Sequence, residues 1–263
     1  MHYAIVSVAA LGAAALTLFS GFGLGTLLLP VFALFFPLPV AVAATAVVHL
    51  ANNLFKVVLL GKHARADVVL RFGIPAAATA LLGAALLGRL AGLQPVTTWT
   101  AGGHSHAMTP LGLVLGGLIA LFALLELLPV FAPLAFGARW IPLGGLLSGF
   151  FGGLSGQQGA LRAAFLSRAG LSRDAFLGSS VTCAVIVDCA RLFVYGITFY
   201  RAHFVAVAGL HDRRGLVVAA TLAACVGSFV GTRLVRKVTL RTLQRCVGAG
   251  LLLVALAIGA GLV

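Results

Sequence analysis

Two adjacent glutamines, Gln157 and Gln158, stand in an otherwise apolar and glycine-rich stretch, FGGLSGQQGALR, in which residues Gly152–Gly159 form the second glycine break of the chain. Together with Ser155 they offer neutral hydrogen-bond donors that suit an oxyanion. A helix broken at a residue such as Gly156 leaves backbone N–H groups unpaired, and at membrane depth these are tolerated only when buried in protein or lining a cavity. Helix N-termini that point into such a cavity favour an anion. The stretch therefore predicts a binding site for a small anion.

A similar glycine break, Ser20–Gly25, interrupts the apolar beginning of the chain with the letters SGFGLG. We expect its Gly23 and Gly25 to line the same site. The alternative role for such glycines is close packing of helices through small side chains. We prefer that alternative for Gly227 and Gly231, and we prefer the functional interpretation for the two breaks.

Two cations, Lys56 and Arg191, lie inside apolar segments. A cation at the centre of a membrane helix costs about 2.5–3.5 kcal/mol, so each predicts a function, here charge for the anion. Asp188 lies three residues before Arg191 and could instead pair with it on one helix face. Lys56 follows Asn52 and Asn53, which we add to the predicted site; the alternative for Lys56 is snorkelling to the interface.

A broken segment followed by a helix with one buried cation occurs twice, a pattern typical of transporters. Asp188 and His49 are the candidate groups for coupling transport to a proton. The alternatives are that Asp188 only positions Arg191 and that His49 is a hydrogen-bonded packing residue. Glu126 lies near the end of an apolar segment and is expected at the interface. The sequence predicts a polar loop over Gly92–Thr109, in which His104 and His106 form a lone HxH without a third ligand. We therefore expect no metal and no cofactor.

The composition predicts an all-α polytopic membrane protein. Of 263 residues, 61% are hydrophobic and only 9% are charged, whereas soluble domains carry about a quarter charged residues. The net charge of +13 could indicate nucleic acid, but the basic residues fall in short loops between apolar segments. There they hold loops on the cytoplasmic side of a membrane. The expected partners are the lipid bilayer and a small anion, with no nucleic acid.

An internal repeat divides the chain into a first half, residues 1–128, a connecting loop, 129–141, and a second half, 142–263. Each half reads as four apolar segments, of which the first is broken by glycines. An offset of 135 residues places Asn53 on Asp188 and Lys56 on Arg191. The same offset aligns Pro39 with Asp174, Thr45 with Ser180 and Gly61 with Gly196.

The loop charges predict how the segments cross the membrane. If both broken segments crossed, the loop Lys and Arg residues would divide nine against seven, which gives no orientation. If both instead fold back, twelve lie on one side and four on the other, Arg89, Arg201, Arg213 and Arg214. The positive-inside rule favours the second arrangement. It makes the two halves inverted repeats and places both termini outside the cytoplasmic membrane.

A competing interpretation starts from Gly153–Gly156, which spells the GxSG of intramembrane serine proteases. Such an enzyme needs a base beside its serine, and after Ser155 the only histidines are His203 and His211. Both fall in a polar loop, so the sequence does not supply an activated nucleophile. We therefore do not expect an enzyme.

The sequence resembles the sulfite exporter TauE/SafE family over essentially its whole length. The resemblance rests on GFGLGTLLLP, on the helix AATAVVHLANNLFK, and on a degenerate repeat of both. The second copy departs from the commoner glycine-rich pattern, with GGLSGQQGALR and then Asp188, Arg191 and Tyr195. The resemblance implies a bacterial inner-membrane transporter of sulfite, another sulfur oxyanion or an organic sulfonate. Alternating access between inverted repeats is the expected mechanism, and a transporter for a cation or a small organic acid is the alternative.

Overall fold

The computed structural model describes residues 2–17, 24–128, 135–202, 214–234 and 240–262 of the chain. This part of the chain is almost entirely helical, which confirms the all-α prediction. Its helices are α1 (His2–Thr17), α2 (Leu24–Ala33), α3 (Leu38–Leu60), α4 (Ala66–Ala91), α5 (Pro110–Leu127), α6 (Ile141–Ser155), α7 (Gly159–Leu166), α8 (Arg173–Ala202), α9 (Arg214–Leu234) and α10 (Leu240–Gly259).

Within the described part of the chain, three helical stretches are long and apolar enough to cross a membrane: Leu38–His63, Ala66–Ala91 and Arg173–Thr198. They correspond to α3, α4 and α8. Prolines begin several helices, where a missing N–H costs nothing. At the start of α5, Pro110 follows Thr109, whose side chain caps the helix by accepting the N–H of Gly112 at 3.0 Å. The chain is a multi-pass membrane protein.

The polar stretch after α4 forms a β-hairpin, not the loop that the sequence predicts. Strands β1 (Thr97–Ala101) and β2 (His104–Met108) pair antiparallel. Gly102 and Gly103 make the turn, and both have positive φ. Trp99 pairs with His106 and donates from Nε1 to the carbonyl of Ala260 at 2.9 Å, which ties the hairpin to the end of α10.

Each broken segment folds back on itself. In the second half, α7 returns along α6, so that a methyl group added at Gly144 would meet the side chain of Phe165. The two ends of this hairpin lie side by side, where Gly137 bridges to Arg168. In the first half, the rings of His2 and Phe35 are 5.1 Å apart, which brings together the start of α1 and the residues after α2. This geometry agrees with the arrangement favoured by the loop charges.

The two halves interlock. Helix α1 packs along α9, and α6 packs along α4. Helix α3 meets α8, and α5 meets α10. The predicted repeat relates α1 to α6, α3 to α8, α4 to α9 and α5 to α10. It therefore maps the α1–α9 pairing onto the α6–α4 pairing, and it maps the α3–α8 and α5–α10 pairings onto themselves. The boundaries of the two halves at residues 1–128 and 142–263 stay a prediction.

Glycines allow these interlocked helices to touch backbone to backbone. A methyl group added at Gly149 or Gly153 of α6 would lie 2.1 Å from a carbonyl oxygen of α4. A methyl group added at Gly227 of α9 would likewise lie 2.2 Å from the carbonyl oxygen of Leu11. The packing interpretation is therefore confirmed for Gly227. It also applies to Gly149 and Gly153, although the latter belongs to the second break.

Two neighbouring glycines of α5 give a stability test of this packing. We expect Gly116→Ala to lower the free energy of unfolding by about 1–3 kcal/mol, because the new methyl group would lie 2.6 Å from the carbonyl oxygen of Ala255 in α10. Gly117 has nothing within 4 Å, so Gly117→Ala is the control and should be neutral or stabilising by up to about 1 kcal/mol. Thermal unfolding in detergent measures both. Equal destabilisation by the two variants would contradict the packing explanation.

Candidate functional site

The carboxylate of Asp188, on α8, is the centre of a buried polar network. Its side chain is fully buried. Oδ1 accepts a hydrogen bond from Gln158 Nε2 at 2.9 Å and lies 2.7 Å from Arg191 Nη2. Oδ2 accepts from Asn53 Nδ2 at 2.8 Å and lies 2.8 Å from His49 Nδ1. Four other residues that the sequence singled out therefore come together around this carboxylate.

His49 and Asn53 belong to α3 and are four residues apart, so they share one face of the helix. Both are buried, and this face meets α8. Nδ1 of His49 donates to Asp188 when this nitrogen carries the proton. The pair links the first half of the chain to the second.

Arg162 is the residue of this network that the sequence interpretation missed. It was counted as a loop cation, but it lies on α7, one turn after Gln158. Its Nη1 donates to Gln158 Oε1 at 2.8 Å, and its Nε donates to Ser180 Oγ at 2.8 Å. The loop charges accordingly divide eleven against four, and the side that they favour is unchanged. The spacing of four residues from Gln158 is the signal that could have identified it.

Arg191 is held against the second break. It is fully buried, and its Nη1 donates to the carbonyl of Gly152 at 3.3 Å. Gly156 has φ +81°, and a side chain there would begin 2.7 Å from the same nitrogen. Position 156 thus needs glycine for two reasons: the backbone has a positive φ there, and a side chain would collide with the Arg191 guanidinium. The Tyr195 hydroxyl, one turn further along α8, donates to the carbonyl of Gly153.

Gln157 differs from its neighbours because it is buried without a partner. Its side chain is 2% exposed, and neither Nε2 nor Oε1 has a hydrogen-bond partner among the described residues. An unsatisfied buried polar group costs about 1–3 kcal/mol. Gln157 lies just before α7, whose first N–H groups have no acceptor within the helix. Ser155, two residues earlier, has a partner, since its hydroxyl donates to Phe151 O of its own helix at 3.0 Å.

Asn52 and Lys56 form a second cluster on another face of α3. The amide nitrogen of Asn52 donates to Ser228 Oγ at 2.7 Å and to Ala224 O at 3.2 Å, both on α9. Its oxygen accepts from Lys56 Nζ at 3.1 Å. The sequence interpretation placed these residues in one site with Arg191. The structure instead directs them toward α9.

Other predicted residues are less informative. Gly23 lies outside the described residues, as do His203 and His211. Gly25 is the second residue of α2, and Glu126 lies in the last turn of α5.

The chain matches the family model described as Sulfite exporter TauE/SafE over residues 6–258, nearly its whole length. Neither a curated protein nor a solved structure matches it.

Proposed function

This chain belongs to the sulfite exporter TauE/SafE family, which implies a membrane transporter of sulfur-related anions, and we propose that it moves a small sulfur oxyanion or an organic sulfonate by alternating access. The anion would bind at the second break, between the N-terminus of α7 and Arg191.

The observation that carries this proposal is the buried amide of Gln157, which has no hydrogen-bond partner among the described residues. A buried donor with no partner is stabilised by a ligand that accepts from it. The N-terminus of α7 adds unpaired N–H groups and the positive end of the helix dipole at the same place. An oxyanion has several acceptor oxygens and can use all of these donors together.

The charge of the network favours an anion over a cation. Arg162 and Arg191 contribute two positive charges, and Asp188 contributes one negative charge. The whole chain contains only five acidic residues. A cation would add repulsion at this place, which disfavours the cation transporter as an alternative. A small carboxylate could use the same donors, so it belongs among the test substrates.

Burial of the network requires a conformational change during transport. Gln157, Gln158, Asp188 and Arg191 are each at most 2% exposed, so a substrate reaches them only when the protein opens. The network joins α3 to α7 and α8, and rocking of one half against the other would expose it to either side. In the cytoplasmic membrane, the loop charges favour the orientation in which both chain termini lie on the outer side.

We expect Gln157→Ala to raise the half-saturating concentration of the transported anion about tenfold, because one buried hydrogen bond to a charged ligand is lost. Flux into proteoliposomes of purified protein measures this, with sulfite, thiosulfate, sulfate, a small sulfonate and a small carboxylate. The matched control is Gln94→Ala, since Gln94 is exposed in the segment between α4 and β1.

A folded Gln157→Ala protein that transports with wild-type kinetics would refute the placement of the site. Saturable flux of the carboxylate alone would retain the transporter and replace its substrate class. If the wild-type protein, correctly inserted, moved none of these anions, the proposed function itself would fail.

A further inference from the structure

We propose that the His49–Asp188 pair binds one proton together with each anion, so that the two are carried across the membrane as a unit. This inference rests on the proposed function and names its coupling ion. It is drawn from the arrangement of the network around Asp188.

The carboxylate of Asp188 occupies donors that a substrate oxyanion needs. Arg191 Nη2 lies 2.7 Å from its Oδ1, and Gln158 Nε2 donates to the same oxygen at 2.9 Å. Both donors adjoin the second break, where Gln157 has no partner among the described residues. Asp188 is thus an internal anion that competes with the substrate for one guanidinium and one amide.

The other oxygen of the carboxylate faces a base. His49 Nδ1 lies 2.8 Å from Asp188 Oδ2, and Asn53 Nδ2 donates to the same oxygen at 2.8 Å. A proton added to this pair cancels the negative charge opposite Arg191. Arg191 and Gln158 then become available to the substrate.

Proton binding and anion binding therefore favour each other. With Asp188 ionised and His49 neutral, Arg162 and Arg191 leave the network with one excess positive charge. A proton raises this excess to two, and a bound anion lowers it again. Each ligand thus increases the affinity for the other, and this linkage is reciprocal.

The surroundings contain no second described carboxylate that could replace Asp188 in this role. The buried polar and charged residues of the described part include one acid, which is Asp188. Helix α6 contains no titratable side chain, and those of α4 lie in its first two turns and its last turn. Besides Asp188, the titratable and charged groups on the elements around the pair are His49 and Lys56 on α3, Arg162 on α7, Arg173, Asp174, Cys183, Cys189, Arg191, Tyr195, Tyr200 and Arg201 on α8, Arg214, Cys225 and Arg233 on α9, and Asp67, Arg71 and Arg89 on α4.

The pair also lies where the two halves meet. Asn53 and Asp188 are hydrogen-bonded to each other and are 135 residues apart, which equals the offset of the predicted repeat. Equivalent residues of two inverted copies can touch only on the axis that relates them. The protonation state of Asp188 therefore acts on the contact between α3 and α8, which would open during alternating access.

The decisive measurement is proton uptake by the wild-type protein when an anion binds. Purified protein in weak buffer with a pH indicator is mixed with thiosulfate, sulfate or methanesulfonate, and calorimetry measures the amount bound. Sulfite is avoided because it exchanges protons itself near neutral pH. We expect about one proton to be taken up for each anion bound. Anion binding without proton uptake would overturn the inference and leave the proposed function intact.

A variant adds a transport readout. We expect anion flux through Asp188→Asn in proteoliposomes to be changed in rate and to lose its dependence on an imposed pH gradient, because the carboxylate that shares the proton is gone; exchange with equal anion on both sides measures the rate. The control is Asp174→Asn, on the first turn of the same helix and exposed, which should behave like the wild type. Uptake by Asp188→Asn that still follows the pH gradient would overturn the inference.

If Asp188→Asn does not fold, the binding measurement on the wild-type protein decides alone. If none of the three anions binds, the proposed function fails and this inference fails with it.

Discussion

Replacing Arg191 by alanine should abolish anion transport and strongly destabilise the protein. Asp188 is fully buried, and the Arg191 guanidinium lies 2.7 Å from its carboxylate. Removing one partner of a buried ion pair costs about 3–5 kcal/mol, because the remaining charge stays buried without compensation. Transport should be lost as well, since the Arg191 guanidinium donates to the carbonyl of Gly152 in the second break, beside the proposed anion site. Thermal unfolding in detergent and flux in proteoliposomes measure the two effects.

A double variant separates these two roles of Arg191. Arg191→Gln combined with Asp188→Asn removes both charges of the ion pair, so neither partner is left buried without the other, and most of the lost stability should return. Transport should not return, because the cation for the substrate is still missing. Arg139→Ala is the control, since Arg139 is an exposed cation that stacks on Trp140. Transport regained by the double variant would show that Arg191 only neutralises Asp188.

The sequence was sufficient to identify most of the network around Asp188. Charged and amide side chains are expensive inside apolar helices, so each stands out against its neighbours and implies a buried partner. The spacing of His49 and Asn53 then places both on one helix face. The offset of 135 residues even joins Asn53 to Asp188, which the structure shows as a hydrogen bond.

The sequence could not show that Lys56 and Arg191 belong to different clusters, one around Asn52 and the other around Asp188. Adjacent residues of a helix point about 100° apart, so Asn52 and Asn53 must face different neighbours. Which neighbour each one meets depends on how α3 is rotated between α8 and α9, and long-range packing determines that. Lys56 follows Asn52 by one turn and therefore faces the same way. Its assignment to the Arg191 site ignored this rotation.

Arg162 was missed for a related reason. A basic residue a few positions after a glycine break resembles a loop residue when the following helix is only 8 residues long. Its role becomes visible once α7 is known to fold back beside α6.

The hairpin after α4 was missed because Gly102 and Gly103 suit either a loop or a tight β-turn. Only the pairing of β1 with β2 distinguishes these possibilities.

Gly153→Ala should prevent the protein from folding into a transport-competent form. The new methyl group would lie 2.1 Å from the carbonyl oxygen of Ala80, so α6 and α4 would have to separate. Gly145 and Gly149 contact carbonyl oxygens of α4 in the same way, and the movement would disturb the whole seam. Overpacking of this kind costs about 1–3 kcal/mol at a single site and more where the backbone cannot shift.

The damage should extend from the seam to the site. Gly153 lies three residues before Gly156, and Tyr195 donates to its carbonyl. A shift of α6 would therefore move Gly156 and Gln157 relative to Arg191. Expression, size-exclusion profile and flux measure the outcome, with Gly196→Ala as control because nothing lies within 4 Å of Gly196 on α8. Since the clash involves backbone atoms, Ala80→Gly should not rescue Gly153→Ala; rescue would mean that side-chain crowding limits this seam.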